Sequence, residues 1–129
     1  MARITFDAPG AAAVGPYSHA AGDDRVVFLS GQTPLRPGTT ELVAGGIGEQ
    51  TRQCLQNLAA VLVAAGLTTA DVVKCNVFLT DMADFAEMNA AYGAFFDTPH
   101  PARTTIGVAA LPLGAAVEIE MVALRPPRT

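Results

Sequence analysis

Charged side chains are scarce in this sequence. They make up 16% of the 129 residues against 50% hydrophobic, and the formal net charge is −4. A small domain has much surface for its volume, so this little charge points to a surface partly buried in an assembly. Lys and Arg together number 8 and nowhere cluster. Nucleic-acid binding through phosphate neutralisation needs a basic footprint, which the sequence lacks. Cysteine is limited to Cys54 and Cys75, each in an apolar stretch, with no CxxC or Cys/His spacing. That disfavours a zinc site and predicts two reduced core thiols. His19 and His100 stand in no Ser/His/Asp or Cys/His arrangement, so no nucleophilic triad is read. Gly45-Gly46-Ile47-Gly48 lacks the lysine and the preceding strand of a phosphate loop. No run approaches the ~20 apolar residues of a membrane span, and Met1-Ala2-Arg3-Ile4-Thr5-Phe6 lacks the apolar core of a signal peptide. The expectation is one cytoplasmic domain over residues 1–129, without internal repeats, binding neither metal, nucleic acid nor membrane.

What is present is a mixed pattern of periods. Residues 3–6 alternate weakly and predict a short first strand. A Pro- and Gly-rich loop, residues 8–17, then delivers Tyr17-Ser18-His19 to a second strand, about 18–21. Asp23-Asp24 is a turn. Arg25-Val26-Val27-Phe28-Leu29 reads as a buried strand that ends at Ser30-Gly31-Gln32. Pro34, Pro37, Gly38, Gly45 and Gly46 mark a connector. From Ile47 the period lengthens: Ile47, Thr51, Cys54, Leu55, Leu58, Val61, Leu62 and Ala65 form one helical stripe, with Gly66 as its left-handed C-cap. Residues 72–80 form a strand with Val73, Cys75, Val77 and Leu79 on one face. Asp84 with Glu87 suggests a capping box, and Phe85, Met88, Asn89, Tyr92 and Phe96 form the stripe of a second helix, stopped by Thr98-Pro99-His100-Pro101. Two strands close the chain, 103–110 and 116–124. The link Leu111-Pro112-Leu113-Gly114 between them predicts an antiparallel hairpin. In the last strand Val117, Ile119, Met121 and Ala123 face one way, and Glu118, Glu120, Val122 and Leu124 the other.

The order β-β-β-α-β-α-β-β predicts an α+β fold with two helices on one sheet face. The other face carries Val122 and Leu124 beside two glutamates, too apolar to be left to solvent. No third helix is available, so the expected cover is another copy of the chain.

The chemistry concentrates at the C-terminal end. Arg103 is a fixed cation among small and apolar neighbours. Such a charge needs a partner, and its planar fork matches a carboxylate. Two readings stay open: an ion pair with Glu118 or Glu120, or a clamp for an anionic ligand. Glu118 reads as a water-holding acid/base or as a surface carboxylate, and pattern alone does not separate it from Glu120. Tyr17, after Gly-Pro, has a rigidly aimed hydroxyl or plugs a loop junction. Asn89 lines a pocket or ties down a loop. Ser30-Gly31 offers backbone donors to a ligand or simply ends a strand. His19 is expected near the pocket, His100 in solvent.

Together, Gly15-Pro16-Tyr17-Ser18, Ser30-Gly31-Gln32, Asn89-Ala90-Ala91-Tyr92, Pro101-Ala102-Arg103 and Glu118-Ile119-Glu120 resemble the Rid family (YjgF/YER057c/UK114), over about residues 8–125. The resemblance implies a chorismate-mutase-like fold of the bacillus type, a six-stranded mixed sheet with two helices on one face. It also implies a homotrimer with three clefts between subunits. The implied activity is that of a 2-iminobutanoate/2-iminopropanoate (enamine/imine) deaminase. Such enzymes hydrolyse reactive imines such as 2-aminoacrylate to 2-oxo acids and ammonia, without a cofactor. Arg103 matches the arginine that clamps the substrate carboxylate, and Glu118, not Glu120, the glutamate that holds the attacking water. Tyr17, Ser30, Gly31 and Asn89 match cleft-lining positions. Thr105 stands on the substrate side where many deaminase members carry Cys. Two other activities fit the same family: a non-catalytic module that binds 2-oxo or amino acids, and an endoribonuclease or translation inhibitor, against which the acidic balance argues.

Overall fold

The structure is a computed structural model that describes residues 2–10 and 14–127. Residues 11–13 of the predicted first loop lie outside the described residues, as do Met1, Arg128 and Thr129. Six strands form one sheet: β1 (Ile4–Phe6), β2 (Ala20–Gly22), β3 (Val26–Gln32), β4 (Val72–Leu79), β5 (Ala102–Gly107) and β6 (Val117–Leu124). Their order across the sheet is β1-β2-β3-β6-β4-β5. The β4–β5 pair is parallel and every other pair antiparallel, so the sheet is mixed. Helices α1 (Ile47–Ala64) and α2 (Phe85–Gly93) pack against one face.

The central strand β6 shows why the chain folds this way. Its odd residues Val117, Ile119, Met121 and Ala123 are each 2% exposed or less. They meet the α1 stripe of Ile47, Thr51, Cys54, Leu55, Leu58, Val61 and Leu62, all buried. Each fully buried Leu, Ile or Val contributes roughly 1.5–3 kcal/mol. α1 stops at Gly66, whose φ of 74° suits a residue without a Cβ. Leu67 N–H donates to the Leu62 carbonyl at 2.8 Å and Gly66 N–H to the Val63 carbonyl at 2.9 Å, the paired closure of a Schellman motif.

Several local expectations change. The last two strands are not a hairpin: β6 inserts between β3 and β4, and β5 lies beyond β4 as the sheet edge. The link between them passes over β4 through a 3₁₀ turn at Pro112–Gly114. β4 carries an irregularity between Val72 and Lys74, which turns Val72 to the core and leaves Val73 exposed. The predicted capping box is absent. Asp84 has helical φ and ψ and makes no side-chain cap; Asp81 instead accepts from Ala83 N–H and opens a 3₁₀ turn, Met82–Asp84. β2 begins two residues later than expected, because Ser18 and His19 turn their backbones to Ser30 and Asp7. β3 runs through Ser30-Gly31 to Gln32, with a bulge between Leu29 and Gln32.

The face away from the helices is uncovered. Phe28 on β3 is 58% exposed and Ile106 on β5 is 46% exposed, with Val73 and Leu124 also open.

Candidate functional site

Two groups of side chains carry the chemistry, one on each face of the sheet. The first lies on the uncovered face. Val14, Tyr17, Ser30, Gly31, Pro112, Leu113, Glu118 and Glu120 line an open depression of about 490 Å³. Glu118 is placed there by β6 alternation, between inward-facing Val117 and Ile119. Its carboxyl lies directly on the β3 bulge: a Cβ built on Gly31 would stand 2.9 Å from both Cδ and Oε1 of Glu118. Glycine leaves the carboxyl its place, and any Cβ would displace it. Ser30 is already engaged, its Oγ donating to the Ser18 carbonyl at 2.7 Å and its N–H to the His19 carbonyl at 2.9 Å. The Ser30 N–H is therefore not the free donor that the sequence suggested. Tyr17 N–H donates to the Gly15 carbonyl at 2.9 Å, which fixes the backbone while the side chain reaches solvent at 45% exposure. Leu113 enters the depression with φ of 61°, a backbone state that costs a leucine about 1 kcal/mol or more.

The two glutamates, equivalent by pattern, differ in their partners. Asn76 Nδ2, opposite on β4, donates to Glu120 Oε2 at 3.0 Å. Glu118 stands opposite Phe78, which offers no donor. Burial first, and the Glu120 charge second, push the Glu118 carboxyl above the usual carboxylate range.

The second group lies on the helix side, at the β5 edge. Arg103 pairs in register with buried Cys75 and so faces α2. Its Cζ is 4.7 Å from the Tyr92 ring centroid and 5.7 Å from that of Phe85, within cation–π range. Its Nη1 is 4.0 Å from Met88 Sδ. Tyr92 is backed by Phe96 at 5.3 Å, and Phe96 by Phe95 at 4.9 Å. Among the described residues no carboxylate lies within ion-pair distance of Arg103. The internal ion pair with Glu118 or Glu120 is therefore not formed. Burial and the neighbouring Cys75 thiol push the Tyr92 phenol far above its ordinary range, so the ring beneath the guanidinium stays neutral. Thr105 follows Arg103 on the same face of β5. Thr105 Oγ1 and Asn89 Oδ1 are buried and have no hydrogen-bond partner among the described residues, while the buried Tyr92 Oη has only the Cys75 thiol beside it. Buried polar atoms are seldom left this way. Two of them, on β5 and α2 beside the Arg103 guanidinium, suit a polar ligand.

Arg103 and Glu118 thus do not meet within one chain. They face opposite sides of the sheet, and β4 stands between their strands. His19 is not at the depression. Its Nδ1 accepts from Ala8 N–H at 3.1 Å, and Asp7 lies 3.5 Å away, so it ties the β1 end to β2. His100 is exposed. Sequence reasoning missed Phe85, Met88 and Tyr92 as the seat of Arg103, reading them only as a core stripe. It also missed Asn76, whose one signal was a polar residue in an apolar strand. Pro112 and Leu113 looked like a hairpin turn. Among the described residues no His, Cys, Asp and Glu group could hold a metal, and no helix is long and apolar enough to cross a membrane.

A family model described as endoribonuclease L-PSP matches residues 6–125. The chain belongs to the Rid family. Within that family it is 44% identical over 125 residues to the human protein named 2-iminobutanoate/2-iminopropanoate deaminase, covering 97% of this chain and 90% of the human one. It is 51% identical over 118 residues to RutC family protein y4sK of Sinorhizobium fredii, covering 92% of each. Among solved structures, E. coli TdcF with bound serine superposes at a TM-score of 0.90 with 39% identity, over 95% of this chain and 99% of that one. The mixed sheet with two helices is the Rid-family fold.

Proposed function

We propose that this Rid-family chain is an enamine/imine deaminase. Its substrates are small 2-imino acids such as 2-iminopropanoate, the tautomer of 2-aminoacrylate. In this reading the catalytic cleft is composite: Arg103, Asn89 and Thr105 come from one copy, and Glu118, Tyr17 and Gly31 from a neighbour seated on the uncovered face, within a homotrimer. The observation that carries it is the free guanidinium of Arg103, held on two rings with no acid to neutralise it. The deaminase name of relatives at 42–47% identity supports the same reading.

The chemistry asks little of the protein. Arg103 binds the substrate carboxylate through its fork and fixes the C=N carbon in place. Water adds to that carbon of the protonated imine while Glu118 takes a proton from the water, giving a neutral carbinolamine. Glu118 returns that proton to the nitrogen, the C–N bond breaks as ammonia leaves, and the hydroxyl gives up its proton to the Glu118 carboxylate as the C=O of the 2-oxo acid forms. Its raised proton affinity suits Glu118 to both halves of that exchange.

The test generates 2-aminoacrylate with a serine dehydratase and follows loss of the imine. The wild type should clear it faster than buffer, and Arg103→Ala should lose on the order of 100-fold in kcat/KM, as expected when charge-assisted bonds are removed. No acceleration over buffer, with 2-oxo acid binding retained, would leave a metabolite-binding module instead. RNA cleavage that survives further purification and disappears with Arg103→Ala would replace the deaminase by an endoribonuclease.

A further inference from the structure

Glu120 has so far no part in the reaction, yet it is among the most firmly held carboxylates on the uncovered face. It sits two residues from Glu118 on the same side of β6, so the two backbones are about 6.7 Å apart. Asn76 Nδ2 donates to its Oε2 at 3.0 Å from the register position directly across on β4. A donor of this kind holds the carboxylate in one place. Glu118 has the opposite setting. It faces Phe78 across the strand pair, lies on the Gly31 backbone and is half-buried. One carboxylate is clasped by a donor, while its neighbour has none among the described residues.

We propose that Glu120, clasped by Asn76, is a positioning residue for the hydrolysis: a fixed negative charge that keeps the Glu118 carboxyl basic enough to take a proton from water and return it. The inference rests on the deaminase reading for its kinetic consequence, but not for its electrostatic one. The other charges around Glu118 are few. From β4, Lys74 reaches the face with its Nζ donating to Thr104 Oγ1 at 2.7 Å. From β3 the facing residues Ser30 and Gly31 do not titrate. The Tyr17 phenol comes from the entry loop. Through the sheet lies the buried Cys54 thiol of α1, 3.7 Å from the Val117 carbonyl and neutral. In an assembled cleft the Arg103 guanidinium of another copy pulls the other way, favouring ionised Glu118. Glu120 offsets that pull. Without it, a base beside a guanidinium becomes weaker.

Both readouts use the intact, assembled protein. The first is the pH profile of kcat/KM for imine loss. Glu118 acts deprotonated, so the acid limb follows its ionisation. Removing the like charge in Glu120→Gln should move that limb to lower pH by roughly 0.5–1 unit. Asn76→Leu, which releases the Glu120 carboxylate from its place beside Glu118, should move it the same way by less. A merely structural Glu120 would lower the plateau and leave the limb in place. The second readout is the carboxyl resonance of Glu118 in protein labelled with 13C-glutamate, assigned by its disappearance in Glu118→Gln. It should titrate above the usual glutamate range in wild type and fall in Glu120→Gln. A Glu118 titration that Glu120→Gln does not move overturns the proposal. If the resonance moves but no variant, nor wild type, hydrolyses imine, the tuning stands and the deaminase reading fails. If Glu120→Gln does not assemble, the Asn76→Leu titration decides in the same terms.

Discussion

Arg103 is seated on rings instead of acids, and this has consequences that can be measured one residue at a time. Lysine keeps the charge but loses the fork and most of the stacking over Tyr92 and Phe85. Arg103→Lys should therefore raise KM about tenfold or more while changing kcat less. Gly31→Ala should do the reverse. Its new Cβ would stand 2.9 Å from the Glu118 carboxyl, so Glu118 must move, and kcat should fall with little change in melting temperature. Cys54 and Cys75 are both 0% exposed, and burial pushes both thiols up. Neither should react with a thiol reagent until the protein is unfolded. At this scale the sequence was informative about identity and poor about partners. Arg103 stood out because a cation among alanines and valines needs an explanation. That the explanation was Tyr92 and not Glu118 depends on which face of β5 meets α2, which no local pattern records.

At the scale of elements, periodicity was most legible where one face is fully buried. The α1 stripe and the alternation of β6 follow the sequence almost residue for residue, and Gly66 ends α1 as its spacing implied. Replacing Gly66 by alanine places a Cβ at a φ of 74° and should cost about 1 kcal/mol, seen as a drop of a few degrees in melting temperature. The misreadings share one cause. A Pro-Gly link serves equally for a hairpin and for a chain that skips a strand, so the insertion of β6 between β3 and β4 was not readable from residues 111–114. The β4 irregularity that exposes Val73 is likewise set by its neighbours. That insertion is what puts β4 between Arg103 and Glu118.

For the whole molecule the question is what covers Phe28, Val73, Ile106 and Leu124. The scarcity of charge and the missing third helix already pointed to a second copy, and the bare face agrees. In the reading proposed here, Phe28→Glu should leave the monomer folded, dissociate the assembly in sedimentation, and abolish imine hydrolysis although Phe28 touches no substrate. The most direct measurement follows from the two half-sites. Arg103→Ala and Glu118→Gln should each be nearly inactive alone. Unfolded together in equal amounts and refolded as mixed oligomers, they should recover about a quarter of the wild-type rate, because one cleft in four would draw an intact Arg103 from one copy and an intact Glu118 from the next. A mixture no more active than its two components would show that the cleft is not shared between copies and would contradict the account.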